Sequence, residues 1–195
     1  MPFKSVLGTI VYPACEIISP GIIKHISGNR FSLGEPSGEK TNRIEILSKI
    51  LTDAGFKAPV SSRIRDEIWI KLWGNLTFNP ISALTGATLK QICENSGTRI
   101  LAEAMMTEAK NIGEKLEVKF PISIEKRIAG AAAVGEHKTS MLQDLEQGRS
   151  LEIDSIISSV QELGALVRIK TPTIDCVLAL LKQRANLAGC FEYQS

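Results

Sequence analysis

Lys71, Asn75 and Asn79 stand four residues apart in the stretch after Ser62, and together they are a proton donor and two neutral amides able to hold a small polar molecule. At about 100° per residue the three fall within an arc of roughly 80°, so they share one face of any helix formed there. Ile64 and Ile68 lie in the same arc with Leu72 at its edge, whereas Arg63, Asp66 and Thr77 project to the opposite side. A lysine among core positions loses hydration, which favours its neutral form unless an acid compensates, and Glu67 one turn earlier is such an acid. That is one route to a general acid working near neutral pH. The same spacing also suits a lysine that extends to water and asparagines bonded to nearby backbone. Spacing alone leaves both readings open.

A second group lies between His137 and Asp154. Thr139 or Ser140 can cap a helix beginning at Met141, and Ser140 with Gln143 fits a capping box. Ser150 can cap the following helix, which places Glu152 in a first turn that favours an anion. Glu152 also projects close to Ile156 and Leu163, so it can instead turn inward, whereas Asp154 projects away. Other patterns carry less. Gly130 to Gly135 has phosphate-loop spacing, but Glu136-His137 follows where Lys-Ser/Thr is needed, and Ala131 to Val134 reads as helix interior. No Gly-x-Ser-x-Gly elbow occurs. His25 and His137 have no cysteine or acid at ligand spacing, so no metal site is expected. Trp69 and Trp73 are expected to pack.

The elements that must position these residues fall into two regions. Val6 to Val11, Ile22 to Ile26 and Phe31 to Leu33 read as short strands, with a turn at Pro20-Gly21 and a hairpin-like Gly28-Asn29 before the last. Ile44, Leu47, Leu51 and Ala54 recur at helical spacing until Gly55, and a short β segment, Ala58 to Val60, follows. From Ser61 the pattern is nearly continuous helix. Its stripes are Ile64, Ile68, Leu72 and Leu76; Ile100, Ala104, Ile112 and Leu116; Ile153, Ile156, Ile157, Val160, Leu163 and Val167; and Ile174, Val177, Leu178 and Leu181. The expected organisation is α+β: a β-rich piece with one helix over 1–60, and an all-α domain over 61–195. The first piece has too little to cover both faces of a sheet and reads as the end of something larger.

Composition narrows the function classes. The 195 residues are 44% hydrophobic and 23% charged, with Lys plus Arg at 23 against 21 for Asp plus Glu, giving a net charge of only +2. This disfavours a nucleic-acid or acidic-membrane partner. No apolar run approaches the roughly 18 residues of a membrane helix. Met1 to Ser5 lacks a signal-like layout, so the cytoplasm is expected. Cys15, Cys93, Cys176 and Cys190 contain no Cys-x-x-Cys and are expected as reduced, buried thiols. None of the 15 glycines stands in a Gly-x-Gly arrangement.

The string Ile68-Trp69-Ile70-Lys71-Leu72-Trp73-Gly74-Asn75-Leu76-Thr77-Phe78-Asn79-Pro80-Ile81-Ser82-Ala83-Leu84 resembles the Trp-x-Lys-Leu, Asn and Asn-Pro-x-x-Ala-Leu signature of ketopantoate reductases (2-dehydropantoate 2-reductases). Gly8-Thr9, Tyr12-Pro13-Ala14, Pro20-Gly21 and Leu33-Gly34-Glu35 resemble the last strands of that family's nucleotide-binding domain. Ser140-Met141-Leu142-Gln143-Asp144 with Glu152-Ile153-Asp154 resembles its Ser-Met-x-Gln-Asp and Glu-Ile-Asp segment. The three motifs occur in order along essentially the whole chain.

The resemblance implies a remnant of a Rossmann-type sheet followed by a helical domain like the carboxy-terminal domain of 6-phosphogluconate dehydrogenase. It implies an NADP-dependent oxidoreductase that reduces ketopantoate, or a related 2-keto acid, with NADPH in the route to pantothenate. Lys71 matches the general acid that protonates the ketone oxygen. Asn75, Asn79 and Ser140 match residues that hydrogen-bond the substrate, Glu152 an acid near cofactor and substrate, and Ala14 a position lining the cofactor. The family's Gly-x-Gly-x-x-Gly loop, which seats a pyrophosphate on a helix amino terminus, is not in these residues, nor is its Gln-Asn-Gly segment. Thr85 to Lys90 lacks the further asparagine of some members. The expectation is therefore the carboxy-terminal portion of such an enzyme, truncated or split and weak or inactive alone, with a homo-oligomer or a separate chain supplying the nucleotide-binding half as the expected partner. The competing expectation is a non-enzymatic helical association domain.

Overall fold

The structure is a computed structural model and describes residues 5–192; the stretch read for a signal lies, but for Ser5, outside them. The chain divides into two compact units, residues 1–69 and 70–195, and the division falls within one helix.

In the first unit β1 (Gly8–Val11) pairs antiparallel with β4 (Phe31–Gly34), Gly8 opposite Gly34 and Val11 opposite Phe31. β2 (Ala14–Ser19) and β3 (Ile22–Ser27) form a separate hairpin around Pro20-Gly21. The hairpin expected at Gly28-Asn29 is therefore not one, because the chain leaving β3 returns to β1. Residues 57–61 run parallel beside β4, with the Phe31, Leu33 and Ser61 amides donating to Lys57, Pro59 and Leu33 at 2.8, 3.0 and 2.7 Å. Between them α1 (Asn42–Asp53) makes the crossover and stops at Gly55, whose φ of +92° suits glycine. Strand, helix and parallel strand make the unit from which Rossmann-type sheets are built. Its core is Leu33, Ile44 and Ala58, with Phe31, Leu47, Leu51 and Val60 packed against it. The isoleucines of the β2–β3 hairpin, among them Ile17 and Ile23, are exposed.

α2 (Ile64–Thr85) is the 22-residue helix that enters the second unit. There follow α3 (Leu89–Glu94), α4 (Ser96–Lys115), α5 (Ile124–Ala133), α6 (Ser140–Glu146), a π-helical turn Asp154–Ser158 leading into α7 (Ser159–Leu166), and α8 (Pro172–Leu187). α4 is the centre, packing against α3, α5, α7 and α8. Trp73 of α2 is fully buried, donates its indole N–H to the Met106 carbonyl of α4 at 2.8 Å and meets Phe120 edge-on. Trp69 is also buried, and its indole nitrogen has no hydrogen-bond partner among the described residues.

The stripe over Ile174–Leu181 is buried as expected, and that from Ile153 is buried through Val160 with Leu163 and Val167 half-buried. That of α4 is buried only in part: Ile112 is fully buried and Ala104 half-buried, Ile100 and Leu116 are exposed, and the inward face is Ala102, Met105, Met106, Ala109, Ile112 and Gly113. Two cysteines also depart from expectation, Cys93 and Cys190 being buried but Cys15 and Cys176 exposed; all four are free thiols. Among the described residues, no helix is long and apolar enough to cross a membrane.

Candidate active site

Burial along the face of α2 that carries the three polar residues is graded. Asn79 is buried at 5% exposure, Asn75 is half-buried, and Lys71 is exposed. The helical unit begins at Ile70, so α2 is enclosed toward its carboxy-terminal end and open where Lys71 stands. The desolvation expected for Lys71 is thus not provided by this chain. Ile68, on the same arc, is likewise exposed.

Asn75 and Asn79 line a cavity of about 290 Å³ together with Ser140, which lies 61 residues beyond Asn79 in sequence (140 − 79 = 61). Gly74, Phe78, Leu89, Arg127, Ala131, Val134, His137 and Thr139 complete the lining. This is the small end of the roughly 300–1,000 Å³ usual for ligand pockets. Pro80, inside α2, has no N–H to return to the Leu76 carbonyl, which removes one bond of the helix ladder beside the cavity.

Ser140 is positioned by its neighbours rather than by a cap of its own. Thr139 is the N-cap of α6, its hydroxyl accepting from the Leu142 amide, and Gln143 donates its side-chain N–H to the Lys138 carbonyl at 2.9 Å. The expected Ser140–Gln143 capping box does not form, and Ser140 is left exposed on the cavity wall. The loop before α6 is held to the start of α3. The Leu89 and Lys90 amides donate to the His137 and Gly135 carbonyls at 3.0 and 3.2 Å, and the Thr88 hydroxyl donates to the Glu136 carboxylate at 2.6 Å.

Arg127 escaped the sequence reading although it carries the same anomaly as Lys71. Between Ile124 and Ala131 it occupies the inward face of α5, where Ile128 and Ala131 are buried. Its guanidinium lies against Gly74, close enough that a Cβ there would fall 2.0 Å from Nη2. Its Nε is buried without a hydrogen-bond partner, and burial pushes the group below its ordinary pKa. Among the described residues it makes no ion pair, and no acid lines the cavity.

Glu152 and Ala14 are not brought to this cavity. Ser150 does not cap a helix, because the Leu151 amide donates to the Cys190 carbonyl and the helix starts at Ile153; Glu152 precedes it and is exposed, not inward. Asp154 faces Ser158 and Lys182, which hold its carboxyl below the usual range. Ala14 is an exposed residue of β2 in the other unit.

The residues present do not build a cradle for the phosphates of a dinucleotide. The one helix that follows a strand in the first unit, α1, has its amino terminus beside the chain's own Glu35. This carboxylate is held by Arg43, whose Nε lies 2.7 Å away, and by the Thr41 hydroxyl. These contacts lower its pKa from 4.5 to about 2.

The described residues thus form a strand–helix–strand crossover unit and a helical unit that carries a polar cavity. Residues 63–185 match the family model described as ketopantoate reductase PanE/ApbA C terminal, and the chain belongs to that family. It is 60% identical over 188 residues to a 2-dehydropantoate 2-reductase of Mesorhizobium japonicum, covering 96% of this chain and 58% of that protein. A crystal structure described as a putative ketopantoate reductase from Ralstonia solanacearum superposes with a TM-score of 0.93 at 40% identity, covering 98% of this chain and 58% of the other. The 2-dehydropantoate 2-reductase structure from Geobacter metallireducens gives a TM-score of 0.82 at 28% identity, over 91% of this chain and 60% of that one. The chain thus spans about three-fifths of the length of the relatives it matches.

Proposed function

We propose that this chain is the substrate-handling part of an NADPH-dependent reductase of ketopantoate, or of a related 2-keto acid, yielding the 2-hydroxy acid. The observation that supports it is the convergence of Asn75, Asn79 and Ser140 on one small cavity, with the capping role that could have occupied Ser140 taken by Thr139. NADPH supplies the hydride to the carbonyl carbon. The chain supplies the other requirements. The ammonium of Lys71, one helical turn or about 6 Å from Asn75 along α2, gives the proton to the ketone oxygen as the alkoxide develops. The amides of Asn75 and Asn79 and the hydroxyl of Ser140 orient the acid by hydrogen bonds that leave the lysine's charge intact. The roles of Ala14 and Glu152 toward the cofactor rest on the resemblance alone. The dinucleotide phosphates are assigned to a partner surface that carries the glycine-rich loop.

The test is NADPH oxidation with ketopantoate by the chain alone and in mixture with the separately produced nucleotide-binding segment of the Mesorhizobium japonicum relative. The reading expects little or no turnover alone, turnover in the mixture, and a fall of roughly 10²–10⁴-fold in the mixture with Lys71→Ala. Brisk turnover by the chain alone contradicts the proposed division of labour, and Lys71→Ala with normal turnover contradicts the proposed acid. An association module is the second reading, favoured by the exposed isoleucines of the β2–β3 hairpin. It expects a silent mixture and a chain that self-associates.

A further inference from the structure

None of the groups assigned above to the substrate neutralises the carboxylate that every 2-keto acid carries. Asn75, Asn79 and Ser140 are neutral, and Lys71 is committed to the ketone. The cavity nevertheless contains a cation, Arg127, that makes no ion pair among the described residues. We propose that Arg127 is the carboxylate anchor of the cavity, its guanidinium ion-pairing with the 1-carboxylate of the 2-keto acid. The inference rests on the keto-acid reading above and adds the group that fixes which end of the substrate is held where.

Three observations carry it. Arg127 lines the same cavity as Asn75, Asn79 and Ser140, and no acid does so among the described residues. Its Nε is buried without a partner and the guanidinium makes no ion pair among the described residues, so a carboxylate reaching its cavity-facing donors would supply the missing counter-charge. Gly74 removes the one side chain that would displace the guanidinium from this position, since a Cβ there would lie 2.0 Å from Nη2 and 2.9 Å from Cζ. A planar fork of donors matches a carboxylate with two parallel hydrogen bonds, which an ammonium cannot reproduce. At about 290 Å³ the cavity suits a small monocarboxylate.

The test is calorimetric titration of the chain with ketopantoate and with ketopantolactone, which keeps the ketone but masks the carboxylate as a neutral ester. Wild type is expected to prefer the acid. Arg127→Gln is expected to weaken ketopantoate binding by roughly tenfold to a hundredfold while leaving the lactone unchanged, so that the preference disappears. Arg127→Lys recovers part of it. Gly74→Ala displaces the guanidinium without removing it and is expected to lower the preference too, which keeps the test decisive if Arg127→Gln fails to fold. A merely structural arginine would weaken both ligands together. Ketopantoate bound equally by wild type and Arg127→Gln overturns the anchor while leaving the ketopantoate reading intact. Arg127-dependent binding of pyruvate or phenylglyoxylate without binding of ketopantoate supports the anchor and removes ketopantoate, but not a related 2-keto acid, as the substrate. Failure of wild type to bind any 2-keto acid overturns the anchor.

Discussion

Asn79 is a buried residue whose side-chain amide makes no hydrogen bond among the described residues and is open to the cavity it lines, in a protein whose neighbouring polar groups are mostly satisfied. Thr77 and Ser82, on the same helix and equally enclosed, donate to the carbonyls of Trp73 and Ala87 at 3.0 and 2.7 Å. A residue kept for folding would be expected to bond within the protein as Thr77 and Ser82 do, whereas one kept for a ligand turns its donors and acceptor to the cavity. Asn79→Leu, similar in volume, is therefore expected to hold or raise the thermal midpoint of the chain while abolishing ketopantoate binding. Unfolding at markedly lower temperature would mark Asn79 as a structural residue. The asparagine itself was legible in the sequence from its place in an apolar stripe. Arg127 offered the same sign on α5 and was passed over, because the runs of alanine around it read as helix interior and not as one wall of a site.

At the scale of elements, the junction of β4 with α1 is an electrostatic clasp. Glu35, at the end of β4, is almost fully buried, and Arg43 and Thr41 at the start of α1 hold it ionised. Its pKa is about 2 in the folded chain against an ordinary 4.5. A carboxyl with a lowered folded pKa contributes stability that is complete above the unfolded value and lost as pH falls toward the folded one. The stability difference between wild type and Glu35→Gln is therefore expected to be constant above about pH 4.5 and to shrink between pH 4.5 and pH 2, read by thermal unfolding at successive pH values. A difference independent of pH contradicts the clasp. Helix positions were legible wherever branched residues marked the inner face, as on α8, where Ile174, Val177, Leu178 and Leu181 are all buried. On α4 the inner face is mostly alanine, methionine and glycine, with Ile112 the one expected stripe residue fully buried there, while Ile100 and Leu116 look outward. Ranking by hydrophobicity picks the wrong side of such a helix. The start of the helix after Ser150 was likewise hidden, because it depends on a hydrogen bond from Leu151 to Cys190 almost forty residues away (190 − 151 = 39).

Taken whole, the described residues comprise a crossover unit and a helical unit with a formed polar cavity. Its motifs were legible in order along the sequence, but the cavity was not, since Asn75, Arg127 and Ser140 meet only through the packing of α2, α5 and α6. The central claim is that this cavity receives a 2-keto acid. Nuclear magnetic resonance of the isotopically labelled chain titrated with ketopantoate tests it directly. The side-chain amides of Asn75 and Asn79 and the Nε–H of Arg127 should shift together and saturate with a single dissociation constant, while the amides of β1 to β4 stay in place. Shifts confined to another surface, or no saturable shift at these three groups, would contradict it.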